Sequence, residues 1–502
     1  MKIAFRSDAS PAIGAGHVMR CLSLADGLRS AGAEVCFVSR ALPAHLADLL
    51  TAHGHEVLLI DGAPDDRVPQ DLAHSSWLGT TQAADAEQSA EVLAGRGCAW
   101  LVVDHYALDT RWESTMRASA SRVLVVDDLA DRPHDCDVLL DQNAHADPER
   151  RYAGRLPPHA ERLLGPRFAL LRGEFRHARL QAPARTGAVR RVLVSFGGAD
   201  AANDTAAAID AVHAARPETQ DVDVVIGAGH GHREDVEAAC LRHGYRCHVQ
   251  SDRMAELMAG ADLAIGAGGV TTWERCCVGL PALVAAVALN QVELVADAAR
   301  LGLVYAIDGR VTASRLALHL RALADNPSVL RHLSRQGLDA VDGLGVDRTM
   351  EAMGLDAIRL REAVPADTRP LFEWRNHESV RRMSRHPGPV TWVEHEAWVA
   401  LVIADANRVL LIGEHGGQPV GVVRFDLGTG EAEVSIYRVP TSTERGLGSR
   451  LLRAAEAWLK ARRPDVTRLT AEVLGENERS HRLFRSAGYH ARSVMYEKRL
   501  HA

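Results

Sequence analysis

The sequence predicts an α/β protein: two doubly wound domains with parallel sheets, followed by a smaller α+β domain around a central mixed sheet. Three observations lead there. Over roughly the first 350 residues, short and almost wholly apolar runs alternate with helix-length segments, as strands buried on both faces of a parallel sheet do. The alternation stops at a polar, proline- and arginine-bearing stretch, QAPARTGAVRR (181–191), and then starts again. Near residue 356 it gives way to alternating apolar and polar residues around turn signals, the pattern of antiparallel strands. A chain of 502 residues is too long for one core, and a prior of about 150 residues per domain also gives about three. The expected domains are 1–180, 181–355 and 356–502.

In the first domain the strands are KIAFRS (2–7), EVCFVS (34–39), EVLLID (56–61), WLVVDH (100–105), RVLVVDD (122–128) and DVLLDQ (137–142). An Asp or His repeatedly sits at the carboxyl end. After the first strand, Val18, Cys21, Leu22, Ala25 and Leu28 recur at three- and four-residue spacing, one face of an amphipathic helix ending near Gly32. In the second domain RVLVSF (191–196), DVDVVIG (221–227), ADLAIG (261–266) and ALVAAV (282–287) run into the loops GGAD, AGHGH, AGGVTTWE and ALNQ. Doubly wound sheets bind ligands beyond the carboxyl ends of their strands, so two such domains predict an interdomain cleft. Its walls are Gly14 to His17 on one side and the loops 197–200, 266–274 and 290–291 on the other. In the third domain IRLREA (358–363) reads as a strand, LFEWRNHESVRRMS (371–384) as a helix and RVLLIGEHGGQPVGVVRFDL (408–427) as a hairpin. A strand, EAEVSIYRV (431–439), then precedes RGLGSRLLRAAEAWLK (445–460), a glycine loop that opens a helix.

Composition narrows the function classes. With 47% hydrophobic and 25% charged residues the chain reads as ordinary globular domains, and a net charge of -7 gives no reason to expect nucleic acid or an anionic membrane as partner. The partners expected are small molecules; no oligomeric state is implied. No apolar run reaches the roughly 20 residues of a membrane-spanning helix, and the N-terminus runs into a strand in place of a signal segment, which predicts a cytoplasmic protein. All eight cysteines fall between Cys21 and Cys277 without CxxC spacing, which argues against a disulfide framework or a structural zinc site.

Two loops carry chemistry. In SPAIGAGHVMRC (10–21), Gly14 and Gly16 let backbone approach a phosphate or sugar at a helix N-terminus, where unpaired NH groups and the helix dipole gather. The dipole disfavours imidazolium, so His17 is held neutral and able to accept a proton; the competing reading is a turn with a capping or packing histidine. In AGGVTTWERCCVGLPALVAAVALNQ (267–291), a glycine turn and the hydroxyls of Thr271 and Thr272 suit a diphosphate. Glu274, one turn further, suits the two hydroxyls of a ribose. The alternative is a helix in which Glu274 only caps.

The motifs GAGHVMRC (14–21), VVDHYALD (102–109), VDDLADRPHDCDVLLDQN (126–143), FALLRGEF (168–175), VSFGGAD (194–200) and GAGGVTTWERCCVGLP (266–281) with NQ (290–291) follow one another in order. Together they resemble the UDP-sugar hydrolase family of pseudaminic acid biosynthesis. That family cleaves UDP from UDP-2,4-diacetamido-2,4,6-trideoxy-β-L-altrose on two Rossmann-like domains of the GT-B fold, related to the MurG type. The resemblance covers about residues 1 to 350. It implies that His17 is the general base that activates water for inverting attack on the anomeric carbon, with Tyr106 near the sugar or the water. It further implies a UDP-sugar site of Gly14, Gly16, Arg20, Gly197, Gly198, Gly268, Gly269, Thr271, Thr272 and Glu274, with Asn290 and Gln291 on the sugar. No metal is implied. Asp8, at the end of the first strand with Arg6, is expected either to orient His17 or to cap its loop.

The C-terminal third resembles the GNAT acetyltransferases: RGLG (445–448) before a helix, then GENERSHRLFRSAGY (475–489). The resemblance implies acetyl-CoA as cosubstrate, contacted by Tyr437, Arg445, Gly446, Leu447, Gly448, Ser449, Arg450, Asn477 and Phe484, with the splayed strand 431–439 bonding the pantetheine arm. WRN (374–376) is similar to the acceptor-side helix of amino-sugar N-acetyltransferases of the same pathway. Two positions depart from the family pattern: Thr443 replaces a Gln or Arg, and Phe484 replaces the tyrosine that protonates the departing thiolate. Glu433 and Glu472 are the candidates for the base that deprotonates the acceptor amine, against the reading of plain solvated strand glutamates. The two resemblances fall on consecutive reactions, N4-acetylation of a 4-amino UDP-sugar and release of UDP. The alternatives are a UDP-sugar glycosyltransferase with a soluble acceptor and a non-catalytic nucleotide-sugar-binding module. Whether the sugar is altro or a legionaminic-type isomer is set by pocket side chains, which motifs do not encode.

Overall fold

Strands form where the sequence is apolar on both sides, and each then needs a cover on both faces. The computed structural model describes every residue except 61–70, 199, 216–220, 289–290, 356–357, 416–417, 443–445, 476 and 493–502. The chain divides into two units, Met1–Leu355 and Asp356–Ala502.

The first unit contains two parallel sheets. One is built from β1 (Lys2–Ser7), β2 (Glu34–Ser39), β3 (Glu56–Leu59), β4 (Cys98–Asp104), β5 (Ala120–Val126), β6 (Val138–Asp141) and β7 (Glu161–Leu164), in the order β3-β2-β1-β4-β5-β6-β7. The other is built from β8 (Arg191–Ser195), β9 (Asp221–Ile226), β10 (Arg246–Val249), β11 (Leu263–Ala267), β12 (Ala282–Ala285) and β13 (Tyr305–Ile307), in the order β10-β9-β8-β11-β12-β13. These are the two doubly wound sheets that the sequence predicts. In each the strand order reverses once, between β1 and β4 and between β8 and β11. The carboxyl ends of those pairs are the places where doubly wound sheets commonly bind ligands.

Helix Gly16–Ser30 covers one face of the first sheet with Val18, Cys21, Leu22, Ala25 and Leu28, all buried against Ile3 and Phe5. Neither half of the unit is a single run of chain. Helix Gly173–Gln181 places Phe175 in the core of the second sheet, while helix Gly345–Ala352 returns to the first. There Gly27 makes room: a Cβ on it would lie 2.6 Å from Val346 Cγ1 and 2.9 Å from Met350 Sδ. The Trp100 indole NH donates to the Met353 carbonyl at 3.1 Å and fixes the return.

The second unit holds a five-stranded mixed sheet of β14 (Arg359–Glu362), β15 (Arg408–His415), β16 (Gln418–Leu427), β17 (Glu431–Arg438) and β18 (Arg468–Thr470), in chain order. The first three pairings are antiparallel and the last is parallel. Pairing between β17 and β18 ends at Glu433 and Thr470, while β17 runs on to Arg438 with β16 as its partner among the described residues. The sheet thus splays open at that point. Helix Leu447–Arg462 covers it with Leu451, Leu452, Ala455 and Leu459. The single helix expected at 371–384 is in fact two, Thr368–Asn376 and Glu378–Arg381. His377 between them adopts extended ψ and its ring accepts from the Ser379 NH, which stops one helix and caps the next. Among the described residues no helix is long and apolar enough to cross a membrane.

Candidate functional site

The loop that follows β1 has the turn its glycines predict. Gly14 sits at φ +78 and donates to the Ser10 carbonyl at 2.7 Å, and the helix starts at Gly16 without a side-chain cap. A Cβ on Gly16 would meet nothing within 4 Å, so protein packing does not demand glycine there. The space is free for a ligand to approach the helix N-terminus.

His17, second in that helix, is buried to 8% exposure with its Nδ1 2.6 Å from Asp104 Oδ1. Asp104 closes β4 across the switch point, paired in register with Ser7 of β1. Burial opposes its ionisation, but the charge of Arg20 and the hydrogen bonds from Arg20 and His17 hold the carboxyl well below its usual range. A carboxylate only accepts, so the proton of a neutral His17 sits on Nδ1 and the basic lone pair is on Nε2. Nε2 has no hydrogen-bond partner among the described residues. The orienting partner is therefore Asp104. Asp8, for which that role is one of two expectations beside capping the loop, accepts from Arg6 Nη1 at 2.6 Å and from the Arg40 backbone NH at 2.8 Å, with His105 Nε2 at 3.2 Å. It ties the loop after β2 to the end of β1.

Arg20, expected to contact the sugar nucleotide, is a buried bridge. Its Nε and Nη2 donate to Asp104 at 2.6 and 2.7 Å and its Nη1 to Asp128 at 2.9 Å. Tyr106 donates its hydroxyl proton to the other oxygen of Asp128. Burial and that carboxylate both push the phenol pKa up, so the hydroxyl keeps its proton. The Tyr106 ring meets His17 edge-on, with centroids 4.6 Å apart. Trp77 stacks on Tyr106 at 5.5 Å, and His74 lies 4.4 Å from Trp77. Motif reading missed Asp104, Asp128, His74 and Trp77. For the two acids a signal existed, since both lie in quoted motifs at strand ends; for HSSW (74–77) there was none.

On the second sheet, Gly197 and Gly198 follow β8, and Gly269 at φ +129 starts helix Val270–Cys277, again with no side-chain cap. Gly268 is held against Val295, which a Cβ would meet at 2.4 Å. Thr271 and Thr272 stand in the first turn. The Gln291 side chain reaches the same turn: its Nε2 is 4.0 Å from where a Cβ on Gly269 would be, and its Oε1 accepts from the Val287 NH at 3.2 Å. Asn290 lies outside the described residues. Glu274 makes no cap: it is buried, Arg172 Nη2 donates to it at 3.4 Å, and burial raises its pKa. The two sheets meet through the segments at their carboxyl ends. Trp273 Nε1 donates to Asn143 at 3.1 Å, His145 lies 3.2 Å from Asp297, and Arg151 pairs with Glu293 at 2.7 Å. Among the described residues, His145, Glu293 and Asp297 alone have metal-ligand spacing, and Arg151 and Arg300 already pair both carboxylates.

In the second unit Gly446, at φ +83, starts helix Leu447–Arg462 with Gly448, Ser449 and Arg450 in its first turn; Thr443 and Arg445 lie outside the described residues. The Leu447 side chain is core, so only its backbone is available to a ligand. Asn477, expected on the cofactor, accepts from the Ser480 NH at 3.1 Å and caps helix Glu478–Ser486. Phe484 is buried edge-on to Tyr489, and Tyr437 is packed beside the sheet core. Glu433 and Glu472 stand on either side of the splay, and one guanidinium, Arg385, pairs with both.

Residues 357–490 match the acetyltransferase (GNAT) domain. The C-terminal unit carries a GNAT domain. Along nearly its whole length the chain is similar to an uncharacterised protein of Methanocaldococcus jannaschii, MJ1062, at 20% identity over 97% of this chain and 96% of that one. It is 25% identical over 262 residues to the UDP-2,4-diacetamido-2,4,6-trideoxy-beta-L-altropyranose hydrolase of Campylobacter jejuni, which covers 51% of this chain and 81% of that protein. It is 34% identical over 135 residues to the spore coat polysaccharide biosynthesis protein SpsG of Bacillus subtilis, 26% of this chain and 37% of that one. With the GNAT domain, these similarities support a hydrolase-like region fused to an acetyltransferase region.

Proposed function

We propose that the first unit hydrolyses a UDP-linked diacetamido-trideoxy sugar of the altro type to UDP and free sugar, and that the GNAT domain N-acetylates the 4-amino UDP-sugar that precedes it. The observation that carries the hydrolase half is the His17–Asp104 pair, with Nε2 as its free basic atom. Tyr106 spends its proton on Asp128, so its oxygen, like Nε2, accepts. On rings in edge contact, these two acceptors would take the two O–H bonds of one water and leave its lone pair for the anomeric carbon. In the step proposed, water oxygen bonds to that carbon, the bond from carbon to the β-phosphate oxygen breaks with its electrons on UDP, and the water proton goes to Nε2. The anomeric centre inverts. The uncapped helix start at Gly269, with Thr271 and Thr272, binds the diphosphate as its charge grows, and Gln291 reaches the same turn.

In the GNAT domain, acetyl-CoA lies along the edge of β17 beyond Glu433, which has no strand partner among the described residues, with its pyrophosphate at Gly446 to Arg450, and Glu433 or Glu472 takes the proton of the attacking amine. The test is product analysis by mass spectrometry with purified protein in 18O-water. The diacetamido UDP-sugar alone gives UDP and a sugar labelled at its anomeric oxygen; the 4-amino UDP-sugar consumes acetyl-CoA first. UDP release that requires an added carbohydrate acceptor would make the unit a glycosyltransferase instead.

A further inference from the structure

The first unit buries several arginines, and most have acids beside them. Arg6 meets Asp8 and Asp85 at 2.6 and 2.8 Å, Arg20 meets Asp104 and Asp128 at 2.6 and 2.9 Å, and Arg132 meets Asp127 and Asp131 at 2.9 and 2.8 Å. Arg275, on helix Val270–Cys277, is only 3% exposed and has no carboxylate within 4.0 Å among the described residues. Its partners are uncharged: the Ala267 carbonyl at 2.5 Å, the Thr271 carbonyl at 3.0 Å, and the hydroxyls of Thr271 and Thr272 at 3.3 and 3.5 Å. Its neighbour Glu274 turns to Arg172 instead. The guanidinium lies against the end of β11, where a Cβ on Gly266 would come within 3.3 Å of Nη1. Burial, only partly offset by the charge of Glu274, pushes its pKa down to about 10, which leaves it charged at neutral pH.

A buried cation with no carboxylate in ion-pair contact is costly, and here it lies under a helix N-terminus of the same sign. Both costs vanish if an anion occupies the turn. We infer that Arg275 is the built-in counter-charge of a nucleoside diphosphate held at the Gly268–Gly269 turn, an assignment that rests on the nucleotide-sugar reading above. It acts through space and through the two threonine hydroxyls that it orients, so it is a positioning residue.

Titration calorimetry on the full chain tests it with two ligands, UDP and uridine. At an effective dielectric of about 20, a unit charge within several ångströms of a diphosphate changes affinity by more than about tenfold, so a tenfold loss is a lower expectation. Arg275→Gln is expected to weaken UDP at least about tenfold, to leave uridine unchanged and to flatten the salt dependence of UDP binding. Arg275→Lys, which keeps the charge, is expected to retain most of the UDP affinity. Equal losses for UDP and uridine, UDP affinity unchanged in Arg275→Gln, or Arg275→Lys losing both ligands alike would overturn the assignment. A wild-type chain that binds no UDP would instead sink the nucleotide reading itself.

Discussion

The candidate general base of the first unit and the candidate bases of the second are both acid–cation clusters, yet they differ in kind. Asp104 is fully buried, and both His17 and Arg20 bond to it across an 84- to 87-residue separation in sequence. Glu433 and Glu472 are 39% and 55% exposed, and both lean on one half-exposed Arg385. A buried pair has nowhere else to go: losing one partner strands a charge, so the geometry is fixed before substrate arrives. An exposed pair is worth about 0 to 1 kcal/mol and is readily exchanged for water or an incoming amine. The candidate base of the first unit is thus preset, whereas the candidate bases of the second are free to change partners when a ligand arrives.

The largest effect expected from this difference is at the dyad. His17→Asn and Asp104→Asn each lower UDP release by about a thousandfold, since general base catalysis contributes roughly 100- to 10,000-fold and needs the right tautomer. Acetyl transfer, measured as free thiol from acetyl-CoA, is expected to stay within about twofold in both variants, because both residues belong to the first unit. Loss of both activities together would mean that the units are not separable.

Next comes a pH effect that is confined to the first unit. His134 is buried between Glu113, 2.7 Å from Nδ1, and Asp127. Burial disfavours its charge, but the two carboxylates prevail and raise its pKa to about 9. A group whose folded pKa exceeds its unfolded one adds stability below the unfolded value, about 6.5, and loses it as pH rises through the folded value. Thermal melts should therefore show wild type ahead of His134→Gln by on the order of 2 kcal/mol at pH 6.5, with the gap closing toward pH 10. A gap that is constant with pH would make His134 a packing residue only.

Trp77→Ala probes the aromatic wall beside His17. Stacking of a ring on a sugar face is worth about 1 kcal/mol, so KM should rise several-fold with kcat nearly unchanged. A fall in kcat alone would instead make Trp77 a support for Tyr106.

What the sequence revealed follows the range of the interactions. The strongly apolar strands, the helix stripe of Val18 to Leu28 and the two glycine-opened helix starts are set by neighbours a few positions away, and these were legible. Short, half-polar edge strands such as ERLL (161–164) and RCHV (246–249) were not, because polar residues break the apolar signal. His17 was legible from its loop, but its partner was not: motif spacing does not distinguish Asp104 from Asp8, and only the parallel pairing of β1 with β4 brings Asp104 alongside. Arg20 looked like a ligand contact because it follows the glycine loop, and only the fold shows its charge already spent on Asp104 and Asp128.

The smallest effect expected is at Arg385, and it carries the most information about the second unit. If Glu433 or Glu472 accepts the amine proton, Arg385 competes for that carboxylate in the free domain, since its guanidinium is 2.6 Å from Glu433. Arg385→Ala should then shift stability by less than about 0.5 kcal/mol, as exposed pairs do, and raise acetyl transfer at most a few-fold at low acceptor concentration. Glu433→Gln and Glu472→Gln separate the two candidates: the base loses roughly 100-fold or more in rate and its neighbour little. If neither variant is slower, both glutamates are surface charges balanced by Arg385, and the acceptor amine must lose its proton to solvent before it enters the splay between β17 and β18.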